Sequence, residues 1–171
     1  MGLDITAYQH VELLEGDHTA TDACWDLEGD DPKYHEHLHL AHGFEESQKG
    51  LRPLVRPYGE TFGFRAGSYS GYNEWRRTLC QAILGVSDQE LWDHASKYQG
   101  RPFYELINFS DCEGAIGFVA ARKLYGDFVE HEEEFAAYVS KLGDDEWFIE
   151  KYQDWKRAFD LTKEDGVVTF H

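Results

Sequence analysis

Residues 62–84, FGFRAGSYSGYNEWRRTLCQAIL, change their hydrophobic period halfway along. Phe62, Phe64 and Ala66 alternate with Gly63 and Arg65, the period of a strand. Past Gly67 the apolar side chains are Trp75, Leu79 and Ile83, spaced i, i+4, i+8 on one helix face. The pattern predicts a short strand over 62–66, a Gly/Ser turn, and a helix over Asn73–Leu84 capped by Ser70 and stopped by Gly85.

Outward from this switch, strands come early and helices late. Near the start, Leu3, Ile5 and Ala7 alternate with Asp4, Thr6 and Tyr8, which predicts a strand over 2–14 with the aliphatic set inward. The opening MGLDIT also fits the permissive M-G-x-x-x-T acylation pattern, but a buried first strand is the simpler reading. Residues 15–33 read as a polar excursion, His35 to Leu40 as another strand, and 43–60 as irregular. Downstream, Ser87-Asp88-Gln89-Glu90 has the form of a capping box for a helix ending at Gly100. Residues 103–109 suit either strand or helix. Ile116, Ala120, Leu124 and Phe128 predict one long helix over 115–142, closed by Gly143. Phe148, Tyr152, Trp155 and Phe159 stripe a helix over 145–162, and Gly166 separates it from a last strand at Val167–Phe170. The class is α+β: a small, mostly antiparallel sheet packed against C-terminal helices, in one domain spanning 1–171.

The chain has 171 residues, of which 15% are aromatic, enough for a sizeable core. Lys and Arg number 16 against 33 Asp and Glu, a net charge of −17, which opposes direct binding to nucleic acid. The charge is uneven. Residues 1–32 hold nine acids and no Lys or Arg, whereas Lys49 to Arg77 holds six bases and two acids. That island suits an anion, unless its arginines pair with the acidic flanks. Three cysteines, Cys24, Cys80 and Cys112, have neither CxxC spacing nor an obvious pairing. With no leader-like start and no apolar run long enough for a membrane, a reducing cytoplasm is expected.

Three stretches are candidates for chemistry. The Gly67–Asn73 turn would aim backbone N–H groups at an anion, with Arg65, Ser68, Ser70 and Arg76 as further donors. It is not a hydrolase elbow, because Tyr69 stands where the serine belongs, and no phosphate-loop Gly-Lys-Ser/Thr follows. A capped helix is its simpler reading. Ser110-Asp111-Cys112-Glu113 repeats S-x-x-E and reads as a second helix cap, while Gly114 and Gly117 would let a ligand approach the backbone. Asp111 and Glu113 would serve as an acid–base or metal pair; Cys112 between acids is a poor nucleophile. Finally, His35, His37 and His39 share one face if on a strand, a zinc-like set beside the simpler reading of a solvated face.

The strings MGLDITAY, FRAGSYSGYNEWR, PFYELINFSDCEGAIG and the closing GVVTFH resemble a family of small uncharacterised bacterial proteins, some phage-associated. The resemblance covers both ends and residues 62–128. It implies a cytoplasmic, bacterial or phage-encoded origin and carries no activity. The family pattern has proline where this chain has Phe118, and it does not include the histidines at 35–42.

The leading expectation is a non-enzymatic protein binding a small anionic molecule or a partner protein, without a cofactor. Its pocket would join the two glycine-bearing turns, using Arg65, Ser68, Tyr69, Ser70, Tyr72, Asn73, Trp75, Arg76, Asn108, Asp111 and Glu113. One alternative is a metal-assisted hydrolase or transferase with Asp111 or Glu113 as base. Another is an acidic, phage-type protein that imitates nucleic acid towards a basic partner.

Overall fold

The computed structural model describes residues 2–14, 36–143 and 146–171. Five strands, β1 (Gly2–Leu13), β2 (Glu36–His37), β3 (Leu54–Ser68), β4 (Gly114–Gly117) and β5 (Val167–Phe170), form one sheet in the order β2-β3-β1-β5-β4. Every ladder is antiparallel. The helices are α1 (Tyr69–Leu84), α2 (Asp88–Asp93), α3 (Ala95–Tyr98), α4 (Tyr104–Ile107), α5 (Phe118–Glu130), α6 (Glu132–Ser140) and α7 (Glu146–Thr162). The class is α+β, as the early-strand, late-helix order implies.

β1 lies between β3 and β5, so both its edges are hydrogen-bonded while its aliphatic face enters the core. Leu3, Ile5 and Ala7 are buried, and Ile5 stands opposite Phe64 on one side and Phe170 on the other. The stripe on α7 is also buried, and Trp155 is its centre. Its indole lies 5.1 Å from Phe64, 5.7 Å from Tyr72, 5.6 Å from Phe159 and 5.5 Å from Phe170. Such ring pairs contribute about 0.5–1.5 kcal/mol each beyond the area they bury. The same cluster takes residues from the first strand and the last, so the two ends of the described chain share one core.

Several local expectations are corrected. β3 is longer than 62–66: it begins at Leu54, because β1 pairs with it, through two register shifts, as far as Leu13, opposite Val55. Only 43–53 of the expected irregular stretch lacks strand structure. The cap of α1 is Ser68, whose Oγ accepts the Gly71 N–H at 3.0 Å; Ser70 Oγ lies 3.1 Å from that hydroxyl. Gly85 terminates α1 in the left-handed region, at φ 68°.

The stretch expected as one helix over 115–142 is a strand and two helices. Gly114–Gly117 is fully buried and pairs with β5, placing Gly114 opposite Phe170 and Gly117 opposite Val167. The glycines are there for room. A Cβ on Gly114 would meet the Phe109 ring at 2.8 Å, and one on Gly117 would meet Leu51 at 2.9 Å. Ile116 thus matches the helical stripe by spacing alone. A further break at His131 separates α5 from α6. The helix expected over 87–100 likewise divides at His94 into α2 and α3. Ser87 caps α2 through the Glu90 N–H at 3.1 Å, while the Glu90 carboxylate accepts from Lys97 Nζ and Tyr98 Oη, both at 3.3 Å. Residues 103–109 contain the single turn α4.

Candidate functional site

The two glycine-bearing turns do meet. Arg76 of α1 is 3% exposed, and its Nη1 donates to the carbonyls of Phe109 at 2.5 Å and Ile107 at 3.3 Å. Its Nη2 donates to Asn73 Oδ1, and Asn73 Nδ2 in turn donates to Asp111 Oδ2 at 2.8 Å. The guanidinium lies over the Tyr72 ring, 4.8 Å from its centre, and 5.6 Å from that of Trp92. Asn73 thus links a buried cation to a carboxylate, and the chain of contacts clamps the 107–111 segment onto α1. Burial pushes the Tyr72 phenol up to about 12, outweighing the pull of the Arg76 charge.

This junction is filled by its own side chains. The Gly71 amide is taken by Ser68, and the Cys112 and Glu113 amides face Ser110 Oγ at 3.4 and 3.3 Å. Ser110 therefore acts as a cap, but of a turn that leads into β4 rather than into a helix. Trp75 is fully buried, with its Nε1 donating to the Phe148 carbonyl at 3.2 Å. Tyr69 packs against the core. Arg65 lies apart, 3.8 Å from the Asp4 carboxylate. Of the other arginines in the basic island, Arg56 pairs with Glu12 at 2.6 Å and Arg77 with Asp88 at 3.4 Å.

Of the three candidate histidines, His37 and His39 are among the described residues. β2 covers only Glu36–His37, and His39 lies past it with Nε2 3.5 Å from a Glu113 carboxylate oxygen. His35, Cys24 and the 15–33 excursion lie outside the described residues. Among the described residues no group of three or more His, Cys, Asp or Glu is placed to hold a metal ion. Cys80 is buried, which pushes its thiol up to about 12, while Cys112 is exposed.

A concavity lies beside the junction. A cleft of about 550 Å³ opens between the Gly43–Ser47 turn and the Ser96–Asn108 stretch, with Gln99, Gly100, Tyr104 and Glu105 on its second wall. Asn108 is the one residue it shares with the pocket expected from the sequence. Its first wall rests on Phe44, whose ring lies 4.9 Å from that of Phe109. The second is held from behind: Lys123 Nζ contacts Glu105 at 2.6 Å, Asp127 at 2.8 Å and the Arg101 carbonyl at 2.6 Å. Asp127 also accepts the Phe103 N–H at 2.8 Å. Phe103 adopts φ 59°, alone among the described non-glycine residues in the left-handed region, and this ion network maintains the bend that turns α4 towards the cleft. Asn108 Nδ2 donates to Tyr104 Oη at 3.3 Å, tying two lining residues together.

The lining carries carboxylates at Glu45, Glu46 and Glu105 and no Lys, Arg or His. Glu45 is held well down, at about 2, by hydrogen bonds from its own and the Gly43 backbone and from His42. Sequence reasoning missed this wall because no motif marks it. Its only trace is the irregular, glycine-bearing character of 43–53, a place where loops carry function on a rigid frame. Comparison with known proteins adds no neighbour, since neither a family model, a curated protein nor a solved structure matches this chain.

Proposed function

We propose that this chain is a binding protein that receives a small molecule in the cleft between Gly43–Ser47 and Ser96–Asn108. The observation that carries the reading is the cleft of about 550 Å³, a volume within the range of small-molecule sites. Its second wall is braced by the Lys123 network, which supports a pre-formed site. The reading keeps the binding class expected from the sequence and moves its location. At the junction of the two turns, the named amides and the Asp111 and Arg76 side chains already have partners within the chain. That occupancy favours architecture there over a hydrolase or transferase centred on Asp111. Among the described residues no helix is long and apolar enough to cross a membrane.

The test is an NMR-detected screen of a fragment library on the ¹⁵N-labelled protein. Hits are expected to shift amides of Gly43–Ser47 and Ser96–Asn108 together. Ser96→Trp, at an exposed lining position, should abolish them by filling the mouth. Hits confined to other surfaces, or unaffected by that substitution, would overturn the reading.

A further inference from the structure

We infer that the molecule the cleft takes is an organic cation: an amine, guanidinium or quaternary ammonium on a small polar body. The inference rests on the cleft reading above and adds the chemistry of the occupant. Two independent features of the lining point the same way.

The first is charge. Glu45, Glu46 and Glu105 face the space and no basic residue does. Basic side chains adjoining the lining are already paired. His42 is held by Glu45 at 2.8 Å, Lys97 by Glu90 at 3.3 Å, and Lys123 sits behind Glu105 against Asp127. Glu105 is therefore partly neutralised by Lys123, and Glu45 by His42 and the Gly43 amide, which leaves the exposed Glu46 as the carboxylate with most charge to offer a guest, with Glu45 beside it. The net charge of −17 adds a long-range field that concentrates cations and repels anions.

The second is the pair of aromatic side chains, Phe44 and Tyr104, one on each wall. Aromatic faces attract cations through the ring quadrupole, by about 0.5–1 kcal/mol at exposed sites. Around them Ser47, Ser96, Gln99 and Asn108 supply hydrogen-bonding groups suited to hydroxyls or amides on the same guest. An anionic guest would meet carboxylates with no compensating donor of opposite charge.

Amide shifts of the ¹⁵N-labelled protein, titrated at low salt with agmatine, choline, glucose and citrate, test the idea. Agmatine and choline should shift Ser96, Gln99, Gly100, Tyr104 and Asn108 saturably, and added salt should weaken them. The double variant Glu45→Gln, Glu46→Gln should raise their Kd by about two- to five-fold per lost carboxylate, the scale of exposed ion pairs. If glucose or citrate shifts the same amides as strongly, or if the double variant binds agmatine unchanged, the cation assignment fails while the cleft reading survives. If neither these probes nor the fragment library shifts any lining amide, both fail.

Discussion

The junction and the cleft are neighbours built from similar residues, yet they use their polar groups in opposite ways. At the junction, Arg76, Asn73 and Asp111 hydrogen-bond one another and the Ile107 and Phe109 carbonyls, and of the described side-chain atoms there only Arg76 Nε and the Tyr72 hydroxyl are buried without a hydrogen-bond partner. At the cleft, Glu45, Glu46, Ser96 and Gln99 are exposed around an open volume. A buried guanidinium among carbonyls is expensive to disturb and has little left to offer a guest. Exposed carboxylates facing a braced wall contribute little to stability and stay in reach of solvent. A dense polar motif in a sequence is thus as easily the mark of a clamp as of a site, and Asn108, at the border of both, shows how close the two lie.

The sharpest way to break the comparison is Arg76→Met. It leaves two buried carbonyls and the Asn73–Asp111 pair without their cation, and should cost about 3 kcal/mol, read from urea denaturation. A loss below about 1 kcal/mol, the worth of one ordinary hydrogen bond, would show that the clamp is not structural.

Lys123→Met removes the brace from Glu105 and Asp127, whose side chains are 16% and 13% exposed. A loss of about 2 kcal/mol is expected, accompanied by weaker fragment binding in the cleft. Unchanged binding would separate the brace from the site and blunt the contrast.

Asp111→Asn tests the junction from its carboxylate end. The loss should be about 1 kcal/mol, with cleft binding unaltered. Binding lost without loss of stability would return Asp111 to the functional side.

The smallest effect concerns pH. The Glu45 carboxyl is lowered from 4.5 to about 2. Its contribution is therefore complete above pH 4.5 and disappears as pH falls through that window towards 2. Amide exchange at Gly43 and Glu45 should speed up over the same range. Flat exchange would mean that the turn holds without the ionised carboxylate.

Some of this architecture is written in local periodicity. The alternation of Leu3, Ile5 and Ala7 reports a strand with one buried face, and the stripe of Phe148, Tyr152, Trp155 and Phe159 reports a helix with one buried side. Both signals work because the chain's own geometry repeats at two residues in a strand and at about 3.6 in a helix. The α+β class follows from their order along the chain. Where only a few residues are involved, the signal becomes ambiguous. Gly114–Gly117 has the spacing of a helix start, and its pairing with β5 overrides that spacing. Leu54–Glu60 has the glycine and proline of a loop, and the length of β1 makes it a strand.

The meeting of Asn73 with Asp111 sits between these cases. The shared glycine-bearing, polar character of the two turns only suggests a common pocket; that they meet, and that they close on each other, is a tertiary outcome. The cleft lies at the far end of the scale. Its walls come from residues 43–47 and 96–108, each unremarkable alone, and a concavity is a relation between segments distant in the chain. Periodicity records which face of a segment is turned from water, because burial acts on every residue in its own turn or pleat. It carries no record of the empty space left where two such segments fail to touch, and that space is set only when the whole core has packed.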